Sequence, residues 1–309
     1  MEKKKLGAVD AHHHLWDLET NHYPWLTPGP EGGPLPDFEK LCRNYLLEDF
    51  RNDCANQQIV KSVHVQAEHD EDDPVRETAW LQGLADDPAS GGFPHAIVAG
   101  ANLEGEGVEA VLEAHASFAN VRGIRQILNL DPKAETHGRA EDALASRGGL
   151  LANEAWLRHF SLLRRYDLSF DLQIFPEQVD DAVKLVASHP DTQIVLNHTL
   201  MPFDRSEGGL ALWRRGIQKL AGLPNVAIKI SGLAMAPGGW NETVNRRLVM
   251  ETLEVFGTER CLFASNFPVD GLVTEYDTIW NLFREVISPL SEDEQRAVLS
   301  ANAERVYRI

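Results

Sequence analysis

Short segments in which apolar and polar residues alternate recur along the chain, separated by longer segments with a helical period. The strand-like segments span residues 7–15, 60–68, 95–103, 121–129, 168–175, 192–200, 226–234 and 261–269. The helical segments, several of which open on Asp, Asn or Pro, include 73–87, 153–167, 176–190, 210–223 and 291–309. Eight strands that alternate with helices indicate a parallel sheet, and eight strands close a (β/α)8 barrel. We therefore predict an α/β fold, a single TIM-barrel domain over residues 1–309.

Polar residues occupy one face of several predicted strands. Side chains alternate between the two faces of a strand, and helices cover the outside of a barrel, so we expect the polar faces to point into the lumen. The alternative is an open sheet with one solvated face, which the helical connections disfavour. The polar faces hold Asp10, His12 and His14 on the first strand, Ser62, His64 and Gln66 on the second, and Asp171 and Gln173 on the fifth.

Composition and charge narrow the class of protein. The chain has 309 residues and a formal net charge of −18, and such a surface repels nucleic acid and anionic membranes. No apolar run approaches the roughly 18 residues that cross a bilayer. The three cysteines lack metal or redox spacing, which favours a cytoplasmic location. The partners that we expect are a small-molecule substrate and, in a homo-oligomer, other copies of the chain. We expect no nucleic-acid or membrane partner.

A long segment between the first strand and the first helix, residues 17–44, is rich in proline and glycine. Loops of this length inside a compact domain are usually functional. We predict that this segment forms a wall of the active site.

Two histidines on the first strand are the first candidates for chemistry. His12 and His14 are two positions apart, so both rings point the same way from Cα atoms about 6.6 Å apart. Imidazoles at that spacing can converge on one metal ion. His198 ends the sixth predicted strand, where the active-site groups of such barrels lie. The alternative is that each histidine hydrogen-bonds within the core.

Short motifs along the chain resemble the amidohydrolase superfamily in the same order. They are VDAHHHLWD, VHVQAEHD, VRGIRQIL, VLNHTLMP, IKISGL, FASNFPVD and NAERVY. The chain is most similar to the metal-dependent-hydrolase branch that contains fuconolactonase and pyrone-dicarboxylate lactonase. This resemblance implies a (β/α)8 barrel that hydrolyses lactones or related carbonyl compounds.

The resemblance also implies roles for single residues. His12 and His14 match the family's His-x-His pair and His198 its strand-6 histidine, which implies a divalent metal, Zn or Mn, at these three residues. The family's last strand carries an aspartate in a Ser-Asp-Trp-Pro-like motif, but this chain has Asn266 there. An amide cannot take a proton from water, so the alternative is a metal-independent mechanism with Asp270 as a substitute base. The competing account makes Asp270 a surface-loop or N-cap residue.

Four further polar residues are candidates for substrate binding: Gln66, Arg125, Gln173 and Lys229. The planar fork of Arg125 fits a carboxylate, and Lys229 could bind a carboxylate or polarise a carbonyl. Ion pairs are the alternative for both cations. Gln66 and Gln173 could bind hydroxyl groups or satisfy one another.

These observations predict a hydrolase, a lactonase that opens a lactone or related ester of a small anionic or polyhydroxylated substrate. One alternative is a zinc-dependent non-oxidative decarboxylase of the same fold, which would need a tight zinc site. The other is a barrel that binds a ligand without chemistry. Lactone turnover separates the first hypothesis from the last, and CO2 release would single out the decarboxylase.

Overall fold

The computed structural model describes residues 5–27, 37–129 and 148–309. In these ranges eight strands form one sheet in chain order, and each pairs in parallel with the next. They are β1 (Ala8–His13), β2 (Ile59–Val65), β3 (Ala96–Gly100), β4 (Val121–Ile127), β5 (Ser169–Gln173), β6 (Ile194–Leu196), β7 (Val226–Ile230) and β8 (Cys261–Phe263). The predicted TIM barrel is confirmed.

Helices connect the strands and cover the outside of the barrel. They are α1 (Leu47–Asp53), α2 (Arg76–Asp86), α3 (Val108–Ala116), α4 (Glu154–Phe160), α5 (Val179–Ser188), α6 (Glu207–Ala221), α7 (Glu242–Phe256), α8 (Tyr276–Ile287), α9 (Glu292–Arg296) and α10 (Asn302–Tyr307). Side-chain caps fix several starts, among them Asn153 before α4 and the capping box of Ser291 and Glu294 at α9. Within the described ranges, no helix is long and apolar enough to cross a membrane.

The seam between β1 and β8 closes the barrel through residues just past the end of β8. The Asn266 N–H donates to the His12 carbonyl at 2.8 Å, and the His14 N–H donates to the Phe267 carbonyl at 2.8 Å. The buried carboxylate of Asp10 reinforces the seam by accepting from the Ser265 N–H at 3.0 Å. The seam therefore lies at the end of the barrel where the predicted site residues are found.

Small apolar side chains fill the lower lumen. Val9, Val98, Val195 and Ala227 belong to one buried cluster, and strands so far apart around the sheet can meet only inside the barrel. Higher in the lumen the lining becomes polar, because Lys229 lies two residues past Ala227 on the same face of β7 and reaches Asp171 on β5. The lumen therefore has an apolar base and a polar upper layer.

Two residues of the polar face predicted for β2 point outward instead. On β2, Val63 and Val65 occupy the lumen, whereas Ser62 faces the helices and lies 2.9 Å from His13 Nε2. His64 likewise contacts His13, whose ring stacks on Phe50 of α1. The prediction for Ser62 and His64 was wrong because the base of the lumen must be filled by apolar side chains.

The prediction that Asp10 shares a face with His12 and His14 was also wrong. The register of β1 against β2 shifts between Asp10 and His13, and such an irregularity moves the following side chains to the opposite face. Val9 and Ala11 therefore face the lumen below the shift, while His12 does so above it. Asp10 points out towards α8, where the Tyr276 hydroxyl donates to it at 2.8 Å.

The predicted wall segment 17–44 is described on both sides of residues 28–36, which lie outside the described residues. Tyr23, Leu26 and Phe38 are buried against the main core. The indole N–H of Trp25 donates to the carbonyl of Ala67, just past β2, at 2.6 Å. The described parts thus pack beside the mouth of the barrel, and their role as a wall of the site stays a prediction.

A buried ion pair joins β5 to β7 inside the lumen. Lys229 Nζ lies 2.5 Å from Asp171 Oδ2, and both side chains are fully buried. The Tyr307 hydroxyl at the end of α10 donates to Asp171 Oδ1 at 2.9 Å, and Lys229 Nζ lies 5.1 Å from the centre of the Tyr307 ring. Tyr307 thus ties the last helix to a charge pair that would be costly to leave unsatisfied.

We expect Tyr307→Phe to lower the free energy of unfolding by about 1.5–3 kcal/mol, the usual range for a hydrogen bond to a charged group. The ring and its contact with Lys229 are retained, so the loss reports the hydroxyl. Urea unfolding at pH 7 measures it. The matched control is Tyr166→Phe at a half-buried site beside Arg165, with an expected change within about 0.5 kcal/mol. Equal effects of both substitutions would contradict the role given to Tyr307.

Candidate active site

Three histidines converge in the upper lumen. The ring centre of His12 lies 5.0 Å from that of His14 and 4.6 Å from that of His198. Neither ring nitrogen of His12 has a hydrogen-bond partner among the described residues, although the side chain is fully buried. A buried imidazole without partners is costly, so His12 is placed to contact a ligand.

An unusual turn brings His198 into the lumen. Its φ is +52°, and the left-handed conformation continues through Thr199, Leu200 and Met201 with φ values of 57°, 59° and 46°. The Thr199 hydroxyl, which donates to the Ser231 carbonyl at 3.0 Å, helps to hold this turn. Backbone conformations of this kind cost energy in residues other than glycine and concentrate at functional sites.

Gly232 leaves the space that His198 needs. A Cβ atom at position 232 would lie 2.8 Å from both Cβ and Nδ1 of His198, and Gly232 itself has a φ of +64°. Any other residue would therefore be strained and would displace the imidazole. The position of His198 depends on the Ser-Gly pair that follows β7.

Hydrogen bonds and burial fix the state of the imidazoles. His14 Nδ1 lies 2.7 Å from the carbonyl of Val65, so Nδ1 carries the proton and Nε2 keeps its lone pair. Burial, with the positive charge of Lys229 as a second cause, holds the pKa of His12 well below its usual range. Burial and Arg125 do the same to the pKa values of His14 and His198. All three rings are therefore neutral at pH 7.

Asn266 and Asp270 form a buried pair beside the seam. Asn266 Nδ2 donates to Asp270 Oδ1 at 2.7 Å, and the Ala234 N–H donates to Asp270 Oδ2 at 3.2 Å. Burial raises the pKa of Asp270 to about 7, against the lowering effect of these donors. The side chain is 1% exposed, so the surface-loop alternative was wrong. Asp270 can therefore exchange a proton near neutral pH.

The predicted substrate-binding residues separate into two groups. Arg125 donates to Gln173 Oε1 at 3.0 Å and to the backbone carbonyl of Gln66 at 2.5 Å. Its Nε has no partner in the part of the chain that is described, so one donor is left for a ligand. Lys229 is instead held by Asp171, as the ion-pair alternative expected. Its positive charge contributes to the lowered pKa values of His12 and His198.

A cleft of about 200 Å³ opens on the β2–β4 side of the mouth, and Arg125 and Gln66 line it. Glu68, Glu71 and Glu106 also line this cleft. Carboxylates and amides can bind hydroxyl groups, whereas several carboxylates repel an anion. The cleft therefore offers hydrogen bonds to a hydroxylated molecule and one cation to an anionic group.

Three further residues beside His198 were not singled out as site candidates from the sequence. Ser231 and Gly232 hold His198 in place, as described above. The side-chain amide of Asn197 is 1% exposed and has no hydrogen-bond partner within residues 5–27, 37–129 and 148–309. The available signal was position, because all three lie just past the C-terminal ends of strands.

The nitrogen donors of His12 and His14 are of the type that zinc prefers. Among the residues that the structure describes, however, no three His, Cys, Asp or Glu side chains are arranged so that they could hold a metal ion together. The arrangement thus does not fit a closed three-ligand site. A metal at His12, His14 and His198 stays a prediction.

Relatives of known sequence match the chain over almost its whole length. It is 40% identical over 307 residues to an uncharacterized protein, y4mH, of Sinorhizobium fredii, with 98% of this chain and 99% of that protein covered. It is 30% identical over 320 residues to an L-fucono-1,5-lactonase of Burkholderia multivorans, with 98% and 97% covered. The similarity therefore includes every strand of the barrel.

Solved structures and a family model give the same assignment. A crystal structure of an amidohydrolase from Burkholderia multivorans with bound HEPES aligns with a TM-score of 0.79 and 27% identity, covering 98% of this chain and 100% of that chain. A second crystal form, with bound zinc, aligns with a TM-score of 0.79 and 26% identity over the same shares. The Amidohydro_2 (amidohydrolase) family model matches residues 9–309. The chain therefore belongs to the amidohydrolase family and is a hydrolase.

Proposed function

We propose that this hydrolase opens the ring of a small lactone that carries hydroxyl or carboxylate groups. The observation that carries the proposal is His12, a neutral buried imidazole that lies beside His14 and His198 and whose two nitrogens have no partner among the described residues. Such a ring can donate to a carbonyl oxygen with one nitrogen and accept from water with the other. The 30% identity to an L-fucono-1,5-lactonase supports the same reaction.

Asp270 is the proposed base. A general base works best when its pKa lies near the operating pH, and burial raises the pKa of Asp270 to about 7. The histidines have pKa values held far below their usual range, so they take protons from water less readily. In the proposed reaction Asp270 takes a proton from the attacking water and returns it to the ring oxygen as the ring opens.

Neutral imidazoles and Arg125 complete the proposed mechanism. The carbonyl oxygen becomes negatively charged as water adds, and a buried N–H donor stabilises such a charge more than water does. His12 can supply this donor. Arg125 Nε lies buried without a partner among the described residues, and it can hold a carboxylate or hydroxyl of the substrate.

A panel of five- and six-membered lactones tests the proposal. Purified protein should hydrolyse at least one hydroxylated or carboxylated lactone, with one proton released per ring opened, as followed with a pH indicator. CO2 release from hydroxybenzoates without lactone turnover would favour the decarboxylase alternative. Absence of turnover on both panels, together with saturable lactone binding, would favour a binding protein.

We expect Asp270→Asn to lower kcat by about 10²- to 10⁴-fold, the range for loss of a general base. In the wild-type protein the carboxylate is the active form, so kcat should rise with pH through about 7, the pKa of Asp270. The variant should lose this rise. Initial rates from pH 5 to 9 measure both effects, with exposed Asp293→Asn on α9 as the control. If the rise of kcat with pH persists in Asp270→Asn as in wild type, the assignment of Asp270 as the base is wrong.

Stability provides a separate check on Asp270. Its pKa is about 7 in the folded protein and ordinarily 3.8, so between these values the folded state holds more protons than the unfolded state. Ionisation of Asp270 therefore lowers the free energy of unfolding as pH rises through this window. Relative to wild type, Asp270→Asn should be more stable at pH 8 than at pH 4. A difference that does not vary with pH would contradict the raised pKa.

We expect Arg125→Ala to raise KM at least about 10-fold for a carboxylated lactone, because a charge-assisted hydrogen bond contributes about 1.5–3 kcal/mol. For a neutral lactone the change should be much smaller. Steady-state kinetics on one lactone of each kind measure the difference, and thermal unfolding checks that the fold survives. Equal changes in KM for both lactones would argue against a carboxylate-binding role for Arg125.

A further inference from the structure

We propose that the side-chain amide of Asn197 binds a hydroxyl group of the lactone and thereby selects hydroxylated substrates. This inference rests on the proposed lactonase function and assigns a residue that neither the motifs nor the histidine geometry requires. Asn197 directly precedes His198, so a group held by its amide lies next to the reacting part of the site.

The backbone directs Asn197 into the lumen. Val195 on β6 belongs to the apolar cluster inside the barrel, whereas Leu196 belongs to the outer core. Asn197 has an extended backbone, with φ −88° and ψ 153°, so the alternation of faces continues and its side chain points inward. Leu196 pairs with Ile228 and Leu172, and one step further Asn197 lies level with Lys229 and Gln173.

The amide is left in an unfavourable state in the free protein. Asn197 is 1% exposed, and in the described residues neither its Nδ2 nor its Oδ1 has a hydrogen-bond partner. Leaving a buried polar group unsatisfied costs about 1–3 kcal/mol, and native proteins contain few such groups. Among the described residues, the ring nitrogens of His12 and the Nε of Arg125 are likewise buried without partners. Asn197 therefore joins the unpaired donors and acceptors that we assign to the substrate.

The chemistry of the amide indicates its partner. An amide presents a donor and an acceptor side by side, and an alcohol hydroxyl can accept from the first and donate to the second. A carboxylate can only accept, and it would leave Oδ1 unpaired. Sites built to bind a hydroxyl reject analogues that lack it, because their polar groups then stay unpaired. Asn197 therefore discriminates hydroxylated from deoxygenated lactones.

The test compares Asn197→Leu and Asn197→Ala with wild type on a hydroxylated lactone that wild type hydrolyses and on its monodeoxy analogues. Leu has the branched shape of Asn but a larger volume and no polar atoms, and Ala adds no bulk if Leu prevents folding. On the hydroxylated lactone, kcat/KM should fall about 10- to 100-fold, as expected for loss of one substrate hydrogen bond. On the analogue that lacks the hydroxyl bound by Asn197, the kcat/KM of the variants should match that of wild type within about threefold, which is within the usual non-additivity of such effects.

Asn245→Leu is the matched control. Asn245 is also fully buried, and its amide likewise lacks a partner among the described residues, but it lies on α7 in the outer layer. Its substitution should leave kcat/KM unchanged on every lactone. Thermal unfolding of both Asn197 variants and of Asn245→Leu checks that each fold survives.

The outcomes separate the inference from the function on which it rests. Equal losses of kcat/KM on all lactones, or a loss in Asn245→Leu as large as in Asn197→Leu, would overturn the role of Asn197 while wild-type turnover keeps the lactonase function. Absence of wild-type turnover on every lactone would overturn both. Selective loss on the hydroxylated lactone would establish the contact.

Discussion

Exclusion of water from the upper lumen is the constraint on which the site depends. Lys229 is fully buried, and it retains a carboxylate partner, Asp171, at 2.5 Å. The same burial keeps the imidazole of His12 neutral and raises the pKa of Asp270 to about 7. In water these groups would have ordinary pKa values and complete hydration. The chemistry of the site is thus set by the walls of the barrel as much as by the residues themselves.

Some of the buried polar groups are satisfied by partners within the fold, and others await a ligand. Charged groups that the fold must retain are paired inside the protein, as Asp171 is with Lys229 and Tyr307. The groups that we propose for substrate binding, His12 and Asn197, have no partners within the described structure. Proteins commonly accept locally unfavourable contacts at functional sites when the surrounding fold compensates. The apolar base of the lumen supplies that compensation here.

The fold could be predicted from the sequence because strand and helix periods alternate eight times, and a barrel is the compact way to close eight parallel strands. The direction of single side chains was harder to predict. Alternation correctly placed Asp171 inside, but it failed at His64, where the lumen needs apolar filling, and at Asp10, before a register shift. The alternation of apolar and polar residues divides a strand into two faces, but it does not show which face points inward or where a register shift exchanges them.

Part of the candidate site could be predicted from the positions of residues along the strands. His12 and His198 lie at strand ends, where position alone indicates function, and the structure brings their rings to 4.6 Å. Gly232 was not predictable, because its importance comes from the 2.8 Å approach of His198 and from a left-handed turn that no spacing encodes. The seam has a further consequence. Asn266 and His12 join the end of the barrel's last strand to its first strand at the mouth. A molecule that contacts both sides of this seam would therefore stabilise the closed barrel. Occupancy would then raise the melting temperature, so a thermal-shift screen could identify ligands of this protein even among compounds that it does not convert.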